Sequence, residues 1–137
     1  MAVKPETTFT NAVHAHLPPG RKAPYWMKNH NEYTSGVFDC WYSGVEGDLW
    51  VEYKFIKLPA RPSTLIVPSL SDLQLEWGKD RYEEGRNVVV IVGCKEGGVV
   101  FANRGWEGGI LQSDFKKLLR TRKQLAEWII GQTEKGG

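Results

Sequence analysis

Asp39, Glu52 and Lys54 are the residues of this chain whose types and spacing could do chemistry. A strand sends residues i and i+2 to the same side, about 6.6 Å apart. Glu52 and Lys54 therefore face one way, and Tyr53 between them faces the other with Val51 and Phe55. Leu49 to Ile56 reads as a strand that presents an acid and an ammonium from an apolar support. Gly36 to Tyr42 is a second β-rich run, and Ser43 to Asp48 holds the Gly and Asp of a reversal. Paired as a hairpin, the two runs bring Asp39 towards Glu52. Two ionised carboxylates held close repel each other unless a cation sits between them. A hard divalent metal with oxygen ligands meets that demand. Two acids and one lysine on a common face thus suit Mg²⁺-dependent hydrolysis of a phosphodiester.

Glu-x-Lys alone is a common pattern, since eleven Glu and eleven Lys give about one such pair by chance. An exposed strand face accounts for it equally well, so the surrounding elements decide. Ahead of the hairpin, Phe9, Val13 and Leu17 recur at helical spacing after Glu6, which predicts a short amphipathic helix ended by Pro18-Pro19-Gly20. Glu6 falls in its first turn, where the helix dipole favours a carboxylate without any catalytic role. His14 and His16 are two apart and lie on different helix faces, so they do not share a metal. Tyr25 to Lys28 predicts a strand, giving three in succession.

After the hairpin, two prolines make Leu58 to Ser63 a loop, one that could cover a substrate. Ser71 then opens a helix, with Gln74 at capping-box spacing, Leu73, Trp77 and Tyr82 on its expected apolar side, and Gly85 as its stop. The cap explains Gln74 structurally; the functional alternative is that its amide orients water or phosphate. Val88 to Val92 is β-branched without alternation, as in a strand buried on both faces at the sheet centre. A turn at Lys95 to Gly98 leads into Val99-Val100-Phe101, and Asn103-Arg104-Gly105 begins an irregular stretch. A last helix is expected from Ser113 to about Ile130, with Phe115, Leu118, Leu119, Leu125 and Ile129 as its stripe.

Composition sets outer bounds. With 137 residues, 41% hydrophobic and 25% charged, the chain is expected to be one soluble domain over 1–137, long enough for a real core. Cys40 and Cys94 have no partner at ligand spacing, which argues for two reduced, buried thiols rather than a zinc site or disulfide framework. The first residues lack an apolar signal core, and no run approaches the about 20 apolar residues that cross a bilayer. A cytoplasmic location is the expectation. A net charge of +2 excludes a strongly basic coat but leaves room for a local basic groove. Arg21, Lys22 and Lys28 before the hairpin, and Lys57 and Arg61 after it, are candidates to meet phosphates. Lys116, Lys117, Arg120, Arg122 and Lys123 form a further basic cluster. Solvated charge is the simpler account of each residue taken singly.

Gly36-Val37-Phe38-Asp39, Val51-Glu52-Tyr53-Lys54, Leu70-Ser71-Asp72-Leu73-Gln74 and Gly85 to Val90 follow one another in an order that resembles the PD-(D/E)XK nuclease superfamily, in particular its VRR-NUC-like and Holliday junction resolvase-like branch. The resemblance runs from about Glu6 to about Phe101. It implies an α/β (α+β) fold, a restriction-endonuclease-like αβββαβ core over about 5–102 with a mixed central sheet flanked by helices, plus an extra strand and the C-terminal helix at about 113–130. It implies that Asp39, Glu52 and the backbone carbonyl of Tyr53 bind Mg²⁺, with Mn²⁺ able to substitute, and that Lys54 positions or activates the attacking water. Glu6 matches the first-helix acid of such nucleases and is a further candidate ligand; Gln74 matches their glutamine. Phe38 departs from the pattern, which usually has proline there. A lysine, with a usual pKa near 10.4, is a poor base at neutral pH, so Lys54 is better cast as fixed charge or water orienter than as general base.

The implied activity is endonucleolytic cleavage of DNA, selective for structure or junction because no base-reading helix or zinc module is present in the sequence. Branched DNA is the expected partner, a homodimer would match a two-fold symmetric junction, and no membrane is involved. A non-catalytic DNA-binding module that retains the fold is the alternative. A third reading makes Trp26, Trp41, Trp50, Trp77, Trp106 and Trp128 contacts of an interaction protein, against the usual role of large aromatics as core fillers.

Overall fold

The computed structural model describes residues 4–19, 24–29 and 36–134. In chain order its elements are α1 (Pro5–His14), β1 (Tyr25–Lys28), β2 (Cys40–Gly44), β3 (Gly47–Phe55), β4 (Leu65–Ile66), α2 (Asp72–Glu83), β5 (Val88–Cys94), β6 (Gly97–Phe101), α3 (Gly105–Gly108), β7 (Ile110–Leu111), α4 (Gln112–Leu118) and α5 (Arg122–Thr133). The main sheet has the order β1-β2-β3-β5-β6. Its first three strands form an antiparallel meander, β5 lies parallel to β3 after the α2 crossover, and β6 returns antiparallel to β5. This is a mixed sheet flanked by helices with the expected αβββαβ core, extended by β6 and C-terminal helices.

β5 is buried at all seven positions, as its unalternating β-branched run requires. The β2–β3 reversal closes tightly, Ser43 opposite Asp48 and Gly44 opposite Gly47. On one sheet face, Phe9 and Val13 of α1 and Leu125, Ala126 and Ile129 of α5 pack on Tyr42, Leu49, Val51 and Tyr53. On the other, Phe38, Val88, Val90 and Val92 are covered by Trp77 of α2, Trp106 of α3 and Phe115 of α4. Burying one such aliphatic side chain is worth about 1.5–3 kcal/mol. Cys40 and Cys94 are free and buried.

Phe38 replaces a proline with packing. It is fully buried, its ring centroid 4.9 Å from that of Trp77, and a Cβ on Gly78 would lie 2.8 Å from its ring. Gly78 thus lets α2 settle onto Phe38 and sets the helix's inward face. Leu73 sits about 140° round from Gly78 at 3.6 residues per turn and is 54% exposed, and Tyr82 is 37% exposed, so neither joins the apolar side expected of them.

The expected C-terminal helix over 113–130 is two helices. Arg120 exchanges backbone hydrogen bonds with Gly98 at 2.8 and 2.9 Å, covering the β6 edge, and a backbone paired to a strand cannot continue a helix. Thr121 then restarts the helix with a complete capping box to Gln124. The β4–β7 pair and α3 are further elements that no periodicity signalled. Among the described residues, no helix is long and apolar enough to cross a membrane.

Candidate metal centre

β3 places Glu52 and Lys54 beside Val90 and Val92 of its parallel neighbour. Glu52 is only 3% exposed, and the Lys54 ammonium nitrogen lies 3.4 Å from its Oε2. Asp39 stands immediately before β2, where its backbone N–H donates to Glu52 Oε1 at 3.0 Å and its carbonyl accepts from the Asn29 N–H at 2.6 Å. These bonds tie the aspartate's backbone both to β3 and to the end of β1. Glu6 arrives from the first turn of α1. Carboxylate oxygens of Glu6, Asp39 and Glu52 all lie within 4.8 Å of one another.

Burial, above all, pushes the Glu52 carboxyl up to about 7; the Asp39 charge adds to this, while Lys54 and the Asp39 N–H oppose it. Glu6 is also raised, by burial first and then by the charge of Asp39 and a hydrogen bond to it, with Lys54 and Lys28 acting the other way. Three converging carboxyls with two of them resisting ionisation call for a proton or a cation. The donor set, hard oxygens only, is the chemistry that Mg²⁺ or Mn²⁺ takes. The residues therefore fit the metal that the motif implies.

The remaining candidates divide. Lys28 sits opposite Cys40 in the β1–β2 register, close enough for its charge to act on Glu6. Gln74 completes the capping box, its Oε1 accepting from the Ser71 N–H at 3.0 Å and its own N–H donating to Ser71 Oγ at 3.1 Å. The start of α2 lies against the segment that delivers Asp39: Gly36 has φ 94°, and a Cβ there would be 2.9 Å from the Leu73 carbonyl oxygen. Lys57 and Arg61 are exposed on the segment after β3. Arg21 and Lys22 lie outside the described residues. The Tyr53 side chain faces away from the carboxylates and is fully buried.

A wall of indoles continues the same sheet face, and sequence reasoning passed over it. Trp50 is two residues before Glu52, Trp41 two after Asp39, and the pair are opposite each other in the β2–β3 register. The period-2 rule that grouped Glu52 with Lys54 would have grouped these too. Of the six tryptophans, Trp26 is exposed at 41%, Trp106 is fully buried, and the other four are half-buried, so a general interaction surface of indoles is not what the fold displays.

No protein-family model matches the chain, and no curated protein is similar enough in sequence to count as a relative. Among solved structures, the chain is similar to that of Hjc from Archaeoglobus fulgidus, a Holliday junction resolvase from an archaeal hyperthermophile. The match has a TM-score of 0.53 at 12% identity and covers 90% of this chain and 97% of that one. At this identity the similarity is one of fold.

Proposed function

We propose that the chain is a Mg²⁺-dependent endonuclease that hydrolyses DNA phosphodiester bonds, selecting branched or junction structure over sequence. The observation behind this reading is the convergence of three carboxylates and Lys54 beside β3, in a fold similar to that of a junction resolvase. Asp39, Glu52 and the Tyr53 carbonyl would hold the metal, with Glu6 as a further ligand and Mn²⁺ as a substitute for Mg²⁺. When bound, such a cation neutralises phosphate charge and makes water a stronger nucleophile at neutral pH.

The chain's own residues do the rest. The Asp39 N–H fixes one oxygen of Glu52, so the buried carboxylate is oriented before any ligand arrives. Lys54, held to the other oxygen, keeps a positive charge beside the reacting phosphate and orients water. Gln74 has its Oε1 engaged by the cap, which leaves its amide NH₂ to reach the strand. Lys28, Lys57 and Arg61, with Arg21 and Lys22, supply phosphate contacts, and two copies of the chain would match a two-fold junction. The test is cleavage of branched and linear DNA with Mg²⁺, Mn²⁺ or chelator. Metal-dependent cleavage of the branched substrate that Asp39→Asn and Lys54→Ala abolish is the expected result. Cleavage surviving either substitution overturns the site, and tight binding of the branch with no cleavage replaces the enzyme by a DNA-binding module.

A further inference from the structure

A cleft of about 720 Å³ opens beside the carboxylates but does not contain them. Trp41, Trp50 and Trp77 line it. The Trp41 and Trp50 ring centroids are 6.2 Å apart with planes 36° from parallel, and Trp77 stands edge-on to Trp50 at 5.2 Å. The Arg81 guanidinium lies 5.6 Å from the Trp77 ring centroid, and Arg86, Asn87 and Gln132 complete the polar side of the cleft, the Asn87 amide donating to Gln132 Oε1 at 3.1 Å. Two acids, Glu46 and Asp48, also line it and balance the two arginines. Asp48 accepts the Trp41 indole N–H at 3.0 Å, and Glu84 holds Arg81 in a two-bond pair at 2.9 Å.

Balanced charge makes this a poor seat for a phosphate, and the polar rim makes it a poor seat for an apolar segment. Flat aromatic walls with hydrogen-bonding groups at their edge suit an uncharged planar heterocycle. Trp50 lies on the same strand face as Glu52, one side-chain step or about 6.6 Å away, roughly two nucleotide rises of B-form DNA. We infer that the cleft receives an unpaired nucleobase of the substrate strand, one or two nucleotides from the phosphate that the proposed metal site would take. The inference rests on the proposed nuclease reading, and it narrows the substrate to DNA with unpaired bases at the branch. Base stacking on Trp77 and Trp50 would then select a splayed strand over a continuous duplex without reading its sequence.

The test is binding of a labelled flap DNA in EDTA, followed by anisotropy, where cleavage plays no part. One flap carries normal bases at the branch and the other abasic residues at the first two unpaired positions. The wild-type chain is expected to bind the intact flap about tenfold more tightly, the order of one base stacked on an aromatic ring, and Trp77→Leu is expected to remove that difference. Trp41→Leu is the second variant, since it leaves α2 untouched, and Trp128→Leu, outside the cleft, should keep the full difference. Equal binding of the two flaps by the wild type overturns the inference. So does a cleft variant that weakens both flaps alike, because a structural role would do that. Failure to cleave in Mg²⁺ with the base preference intact removes the nuclease reading and leaves the cleft.

Discussion

β3 takes polar groups into buried surroundings on both of its faces, and the two faces satisfy them differently. On the side covered by α1 and α5, the Tyr53 hydroxyl meets that of Tyr42 at 2.6 Å, and His14 Nε2 lies 2.7 Å from the same Tyr42 oxygen. Burial pushes both phenols above their usual range and, with the Lys28 charge, pushes His14 down to about 4, so the chain of groups is neutral, and of its polar atoms only His14 Nδ1 is left without a partner among the described residues. On the other side, Glu52 is nearly as buried but its neighbours are further carboxylates, and the proximity of Asp39 raises it and Glu6 alike. A polar cluster that serves the fold pairs donors with acceptors. One that gathers like charge stores a demand that a ligand can answer, which is the pattern of functional sites.

The contrast breaks most visibly in activity. Glu52→Gln keeps shape and removes charge, and it should lower Mg²⁺-dependent cleavage of branched DNA by more than about 100-fold, the loss typical when a metal site forfeits even a supporting group. Tyr53→Phe, one residue along on the opposite face, should leave cleavage rates unchanged. Comparable losses from both would mean that the two faces act as one unit.

Stability against pH sharpens the same comparison in the metal-free chain. Glu52 has an ordinary value of 4.5 and a folded value of about 7, so between these the native state holds a proton that the unfolded state has lost. Its contribution therefore falls as pH rises through that window, by on the order of 3 kcal/mol. His14 runs the other way. Its ordinary value is 6.5 and its folded value about 4, so the unfolded state binds the extra proton and stability falls as pH drops from 6.5 to 4. Between about pH 4.5 and 6.5 the His14 slope should offset that of Glu52 in the wild-type urea midpoints, with Glu6, also raised, leaving a residual fall as pH rises. Glu52→Gln should expose the His14 slope, with stability rising with pH. Added Mg²⁺ should raise the midpoint at pH 8 in the wild type only. An unaltered slope in Glu52→Gln would show that its carboxyl is not strained.

Smaller still is the direct cost on the neutral face. Tyr53→Phe removes one member of a hydrogen-bonded chain and should cost about 1 kcal/mol in urea unfolding, whereas Glu52→Gln in chelator should cost nothing, because it relieves repulsion. A destabilised Glu52→Gln with an undisturbed Tyr53→Phe would reverse the assignment of the faces.

What could be read from the sequence was what neighbours in the chain determine. The alternation that pairs Glu52 with Lys54, the unalternating run of β5 and the Ser71–Gln74 box are all local, and the resemblance put them in order. Glu6 reaches Asp39 through packing of α1, so periodicity could explain only its place in a first turn. The break before α5 depends on Arg120 pairing with Gly98, a distant contact, although Thr121-Arg122-Lys123-Gln124 spelled the same box as Ser71 to Gln74. The stripe from Phe115 to Ile129 overrode that signal, although its members divide between the two sheet faces, Phe115 on one and Leu125 and Ile129 on the other. α3 follows two residues with positive φ, Asn103 at 54° and Arg104 at 62°, a conformation that asparagine favours but that arginine does not announce.

The two capping boxes give the finest test, because they place the same glutamine on opposite sides of the sheet. Gln74 and Gln124 each accept from their N-cap amide, at 3.0 and 2.8 Å. Glutamate serves that position as well as glutamine, so neither Gln74→Glu nor Gln124→Glu should shift stability by more than a few tenths of a kcal/mol, read by thermal unfolding. Their effects on cleavage should differ. Gln124 heads α5, which packs on the neutral face, and its replacement should leave the rate unchanged. Gln74 heads the helix whose next residue back, Leu73, lies against Gly36 on the way to Asp39, and if its amide meets the substrate as proposed, glutamate would remove a donor and set a negative charge against the phosphate. A severalfold loss confined to Gln74→Glu assigns the amide to the substrate, whereas equal rates for the two variants reduce Gln74 to a cap.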